Sequence, residues 1–137
     1  LGNPGERYAK IESIWVDHNH QMQDGVKGML IHVKFFVYNM LNRTGRCNAY
    51  FYYDNADNTP LQDLNNSYCT TSGHVAMGRD FTPPYKDTTY NDFTLFIPNY
   101  ELHVTGNQSL KFCIRIYDKA SDEWLCRSDW QHFTYGY

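Results

Sequence analysis

The sequence predicts an all-β chain, a single antiparallel β-sandwich of seven or eight strands. Three observations carry this. Apolar and polar residues alternate with period two along several stretches, which gives a strand one buried and one open face. Turn residues punctuate those stretches. Tyr, Phe and Trp make up 17% of the chain, and such rings pack well on pleated surfaces. No stretch of helical period interrupts the pattern.

Each element follows in order. The first strand is expected over Ala9 to His18, with Ile14 and Val16 on one face and Trp15 on the other. Asp24-Gly25 marks the turn into Met29 to Tyr38. Ile31, Val33, Phe35 and Val37 form a purely apolar face there, and Leu30, His32, Lys34, Phe36 and Tyr38 a mixed one. After Asn42-Arg43-Thr44-Gly45, a third strand places Cys47, Ala49 and Phe51 opposite Asn48, Tyr50 and Tyr52. Short strands are expected near Ser67 to Thr71 and His74 to Met77. Arg79 to Thr89 reads as a loop around Pro83-Pro84, because proline donates nothing to a ladder. Phe93, Leu95 and Ile97 mark the next strand, and Tyr100 to Gly106 crosses to a final hairpin. Its arms are Leu110 to Tyr117 and Glu123 to Tyr135, joined by a turn from Asp118 to Asp122. The expected core is Ile31, Val33, Phe35, Phe51, Leu95, Ile97, Phe112, Ile114 and Ile116, with Trp15 and Trp130 also inside.

A chain of 137 residues suits one domain with a substantial core. Residues 1–8 are expected as a flexible N-terminal linker and 9–137 as the sandwich domain. Leu1-Gly2-Asn3-Pro4-Gly5 is not a natural start, so a larger parent protein is expected. The net charge of −3 and the lack of a Lys/Arg block argue against nucleic acid as partner. No apolar run approaches the ~20 residues of a membrane helix. Asn42-Arg43-Thr44, Asn65-Asn66-Ser67 and Asn107-Gln108-Ser109 match the glycosylation sequon by composition alone.

Cys47, Cys69, Cys113 and Cys126 lack zinc-ribbon spacing. All four are expected to be reduced, with Cys47 buried and Cys113 the most accessible, which leans the compartment towards the cytoplasm. The exception is a Cys113–Cys126 bond across the last hairpin.

Residues that carry chemistry form no complete set. His18, His20 and His32 approach one another if the first hairpin turns at Asp24-Gly25, yet no ligand spacing completes a site, so no metal and no cofactor are assigned. Acids cluster at Asp54, Asp57 and Asp63 and again at Asp118, Asp122 and Glu123. No nucleophile elbow, zincin, phosphate-loop or dinucleotide motif occurs, so no catalytic residue is assigned and no enzyme is expected.

Two resemblances add to this. Asn91-Asp92-Phe93-Thr94-Leu95-Phe96-Ile97-Pro98-Asn99-Tyr100-Glu101-Leu102, followed by Leu110 to Asp118, resembles the middle of a C2 domain, a calcium-dependent membrane-binding sandwich. The resemblance implies an Ig-like or C2-like strand arrangement. In that family a second Asp follows the strand-end Asp by two residues. Here Ala120 and Lys119 stand after Asp118, so no calcium ligand is carried over. Gly28 to Phe35, Ala49-Tyr50-Phe51-Tyr52, Asp80-Phe81-Thr82-Pro83 and Tyr90-Asn91-Asp92-Phe93 are similar to uncharacterised accessory β-domains of bacterial multidomain proteins. That similarity implies an appended module.

A noncatalytic interaction module docking its parent onto a protein partner is therefore expected. The alternative is a carbohydrate-binding module, with Tyr50, Tyr52 and Tyr38 as the ligand-binding tyrosine face and a glycan as partner. Trp124, Trp130, Tyr135 and Tyr137 are further aromatics for either surface.

Overall fold

The structure is a computed structural model that describes residues 6–64 and 68–135. The first five residues, the Asn65-Asn66-Ser67 sequon and Tyr137 lie outside the described residues. Eight strands follow in order: β1 (Tyr8–Gln21), β2 (Lys27–Tyr38), β3 (Gly45–Tyr53), β4 (Ala76–Phe81), β5 (Asp87–Pro98), β6 (Gln108–Asp118), β7 (Glu123–Arg127) and β8 (Gln131–Tyr135). One sheet has the order β1-β2-β5 and the other β4-β3-β6-β7, with β8 also paired to β6. Every pairing is antiparallel. The chain is thus the all-β sandwich that its alternation predicts.

The first hairpin forms where the sequence signals it. Gly25 takes φ 87°, which a side chain disfavours, and Asp24 Oδ1 accepts a 3.0 Å hydrogen bond from Val26 N. Inward residues of the two sheets then meet. Ile31, Val33 and Phe35 from β2 and Leu95 and Ile97 from β5 pack into one cluster with Phe51, Phe112, Ile114 and Ile116, none more than 1% exposed. Burying each such side chain contributes about 1.5–3 kcal/mol. The sheets also meet at their edges, β4 against β5 and β7 against β1. At the first edge Arg79 Nη1 donates to Thr94 O at 2.9 Å, and its guanidinium lies 4.1 Å from the Phe93 ring centre.

Several expectations change. Arg79 to Thr89 is not one loop, because β4 runs to Phe81 and β5 begins at Asp87; only the two prolines' neighbourhood stays outside the ladder. Of the short strand near Ser67 to Thr71, the described part contributes one bridge, Cys69 to Val75. The returning arm of the last hairpin is two strands. Ser128 interrupts it by donating its N–H to Ile114 O and accepting Ile114 N–H on its hydroxyl, both at 2.8 Å. Trp15 is 42% exposed, since β1 is an edge strand and its ring lies on the outer face, stacked 5.1 Å from the His32 ring. Trp130 is half-buried.

The expected linker residues Arg7 and Tyr8 take part in the fold: Tyr8 opens β1, and Arg7 pairs with Asp118 and Glu123. Among the described residues no helix is long and apolar enough to cross a membrane.

Candidate functional site

The outer face of the five-stranded sheet gathers most of the unusual chemistry. Period two decides which residues reach it. From β3 come Arg46, Asn48, Tyr50 and Tyr52, and from β6 Lys111, Cys113, Arg115 and Tyr117. The register sets Arg46 opposite Tyr117, Asn48 opposite Arg115, Tyr50 opposite Cys113 and Tyr52 opposite Lys111. β7 extends two of these rows, with Arg127 beside Arg115 and Trp124 beside Tyr117.

Aromatic rings and cations interleave across this surface. Trp124 packs against Tyr117 at 4.7 Å and edge-on against Tyr50 at 6.1 Å. Tyr52 stands edge-on to Trp130 at 4.9 Å and to His74 at 4.6 Å. The Arg115 guanidinium lies 3.9 Å from the Trp124 ring centre. Lys111 and Arg127 lie 4.3 and 4.7 Å from that of Trp130. At one side Arg46 is fixed by Asp80, Gly78 O and Asn48 Oδ1. A Cβ at position 78 would stand 2.3 Å from Asn48 Oδ1, so only glycine leaves room for this knot.

Two grooves cross the face. One, of about 370 Å³, is lined by Arg46, Tyr50, Tyr117 and Trp124 among others. The second, of about 300 Å³, is lined by Tyr52, Asn58, Cys113, Arg115, Arg127 and Trp130. Among the described residues no carboxylate lines the second groove. Lys111, Arg115 and Arg127 make no ion pair among the described residues, and Arg115 Nε is buried with no hydrogen-bond partner. Lys111 is instead held by Asn55 O and Asn58 Oδ1. Burial pushes the phenols of Tyr50 and Tyr52 above the usual tyrosine range and pulls the His74 imidazole below its own, so all three are neutral at pH 7.

Of the three expected tyrosines, the structure brings two together. Tyr50 and Tyr52 are half-buried neighbours here. Tyr38 ends β2 in the other sheet, with the Lys86 ammonium 5.1 Å from its ring centre. Cys113 is buried rather than accessible, because it floors the second groove beneath the surrounding rings. The Cys113–Cys126 bond also fails on register. A bulge at Leu125 sets Cys126 opposite the inward Ile116, whereas Cys113 points outward. All four cysteines are unpaired, and burial pushes the Cys47 thiol up and that of Cys126 to about 11.

The histidines do not form the expected set. Trp15, not His18, faces His32, and His18 packs 5.7 Å from Phe133. His32 sits between Asp92, 2.6 Å from Nδ1, and Asp17, 2.9 Å from Nε2. Burial opposes its charge, but hydrogen bonds and Coulomb attraction from Asp92 and Asp17 outweigh that and raise its pKa above the ordinary imidazole value. With both nitrogens occupied by carboxylates, the ring is a cross-strand clamp on β1, β2 and β5. The raised pKa has a definite sign. The clamp's stability is fully present below the unfolded value of ~6.5 and is lost as pH rises through the folded value. Histidine proton resonances followed against pH are expected to show His32 titrating above the ordinary imidazole value of ~6.5. A midpoint at or below ~6.5 would refute the clamp.

The two acidic loops are held by separate partners. Asp118, fully buried, accepts from Ser121 Oγ at 2.8 Å and Ala120 N at 3.1 Å, and pairs with Arg7 at 2.7 Å and Arg43 at 3.0 Å. Asp54 pairs with His132 at 2.9 Å, and Asp63 with His103 at 2.8 Å. The strand-end aspartate thus has arginines where a calcium ligand would need an ion.

Comparisons with family models, curated proteins and solved structures return no match to this chain. The reading of the site therefore rests on its geometry.

Proposed function

We propose that this chain is a noncatalytic binding module whose ligand surface is the outer face of the five-stranded sheet. Its ligand is an acidic, aromatic-compatible segment of a protein partner. The observation that carries this is the second groove, where Arg115 and Arg127 stand among aromatic rings with no carboxylate to neutralise them. The net charge is −3, so the local excess of cations opposes the average of the molecule. An incoming Asp or Glu side chain supplies the missing partner of the Arg115 guanidinium, and the rings offer apolar area with polar tips. Charge complementarity of this kind raises association rate and fixes register.

A glycan is the second reading, supported by the exposed Trp124 beside Tyr50. It is less favoured because a cation already lies over a face of Trp124 and of Trp130, where a sugar ring would stack.

The test is an NMR titration of the domain with a short polyglutamate peptide. Shifts are expected at the Trp124 and Trp130 indoles and the Arg115 and Arg127 side chains, weakening with salt. Arg115→Gln is expected to lower affinity about tenfold, within the range for a lost charge-assisted contact. Absence of shifts at this face would refute the reading. Tighter binding of a neutral oligosaccharide, lost in Tyr52→Ala with stability unchanged, would replace it with the glycan. Tighter binding of a single-stranded oligonucleotide would overturn both.

A further inference from the structure

A second cluster forms where two distant segments meet. After β5 the chain makes a 3-10 turn (Asn99–Leu102) and passes through His103 with φ 57°. The long connection from β3 to β4 comes back against β3, with Leu61 N donating to Phe51 O. Two residues later, Asp63 N donates to Gly73 O at 2.8 Å, which fixes the backbone that carries its carboxylate. The result places ligand-type atoms of Asp63, Glu101 and His103 within 4.8 Å of one another.

The hydrogen bonding of Asp63 in this arrangement is incomplete. His103 Nε2 lies 2.8 Å from Asp63 Oδ1 and 3.2 Å from Glu101 Oε1. The side chains of Asp63, Glu101 and His103 are 0%, 3% and 11% exposed. One imidazole nitrogen carries at most one hydrogen for two carboxylate oxygens. A buried carboxylate oxygen that meets no donor is costly. The second oxygen of Asp63, Oδ2, is buried and meets no donor in hydrogen-bonding geometry. The Cys69 thiol lies against the same carboxylate, which raises its pKa, but it does not complete Oδ2.

We propose that Asp63, Glu101 and His103 bind a divalent transition metal of the zinc class. Two carboxylates and the metal cancel in charge, and the Nε2 lone pair supplies the third ligand. Nε2 binds the metal as neutral imidazole, with its hydrogen on Nδ1 or released to solvent. A mixed oxygen and imidazole set of this size suits zinc, cobalt or manganese rather than calcium, which takes six or more oxygens. The ion staples the β3–β4 connection to the crossover between sheets, so it stabilises the fold.

The test uses the chelator-treated domain titrated with zinc chloride and, separately, cobalt chloride. One equivalent of zinc is expected to bind, raise the melting temperature and shift the His103 ring resonances, while calcium chloride does neither. Cobalt is expected to give visible ligand-field bands. Asp63→Asn and His103→Gln are each expected to weaken zinc binding by at least about tenfold. If either variant fails to fold, the cobalt bands and His103 shifts in the unmodified domain decide. No zinc or cobalt binding by the folded domain would overturn the proposal. So would binding that leaves His103 unshifted, because the metal would then sit elsewhere.

Discussion

Replacing Asp118 with Asn is expected to destabilise the domain by roughly 2–4 kcal/mol, somewhat below the 3–5 kcal/mol of a fully buried broken pair. The discount follows from the arginines, whose side chains keep 23% and 34% exposure at Arg7 and Arg43, while Asp118 keeps none. Asparagine retains an oxygen for Ala120 N but puts an amide in place of Oδ2, which accepts from Ser121 Oγ and faces both guanidiniums, so these lose their counter-charge. Burial alone would raise the Asp118 pKa, yet Ser121, Arg43 and Ala120 lower it below the usual aspartate range. The resulting stability is present above the unfolded value of ~3.9 and is lost as pH falls through the folded value. Urea unfolding at pH 7 checks the substitution. A loss below about 0.5 kcal/mol would mean that solvent already screens the pair.

Phe35→Ala is expected to cost roughly 3–5 kcal/mol. Its ring is fully buried and touches Tyr90, Phe81 and Phe93, with centroids 4.9, 5.2 and 5.5 Å away. Those partners come from β4 and β5, so the lost ring loosens both the three-stranded sheet and its edge contact with β4. Denaturant unfolding with an unchanged slope would report a loss of stability alone. Phe35→Leu separates volume from aromaticity, because Leu refills most of the space but not the edge-to-face contacts. A cost near zero for Phe35→Ala would mean that the core collapses around the gap.

The sandwich was legible because its signal is local. Alternation along Gly28 to Tyr38 and Leu110 to Tyr117 fixes which side chains share a face whatever the pairing. Boundaries were less legible where one side chain overrides the pattern. Ser128 breaks a strand by bonding to Ile114, and no periodicity encodes that partner. The same limit applies to the site. Tyr50 and Tyr52 could be placed on one face from β3 alone, but their setting among Arg115, Arg127 and Trp130 depends on cross-strand register. The outward row Lys111, Cys113, Arg115 was the available signal, but nothing within β6 names the rings that flank it. Asp63 and His103 were beyond reach, because only the fold brings those two segments together.

β6 pairs with β3 along one edge and with both β7 and β8 along the other. Neighbours β1 and β2, or β6 and β7, can associate as soon as they exist. β3 cannot meet β6 until residues 54–107 have been made and their loop closed. During synthesis the Ala49-Tyr50-Phe51-Tyr52-Tyr53 stretch therefore leaves the ribosome well before its central partner. β4 can cover one edge of β3 earlier, but the edge that awaits β6 is open to the wrong neighbour for that interval. The strand that carries Tyr50 and Tyr52 thus exposes one edge until late in synthesis.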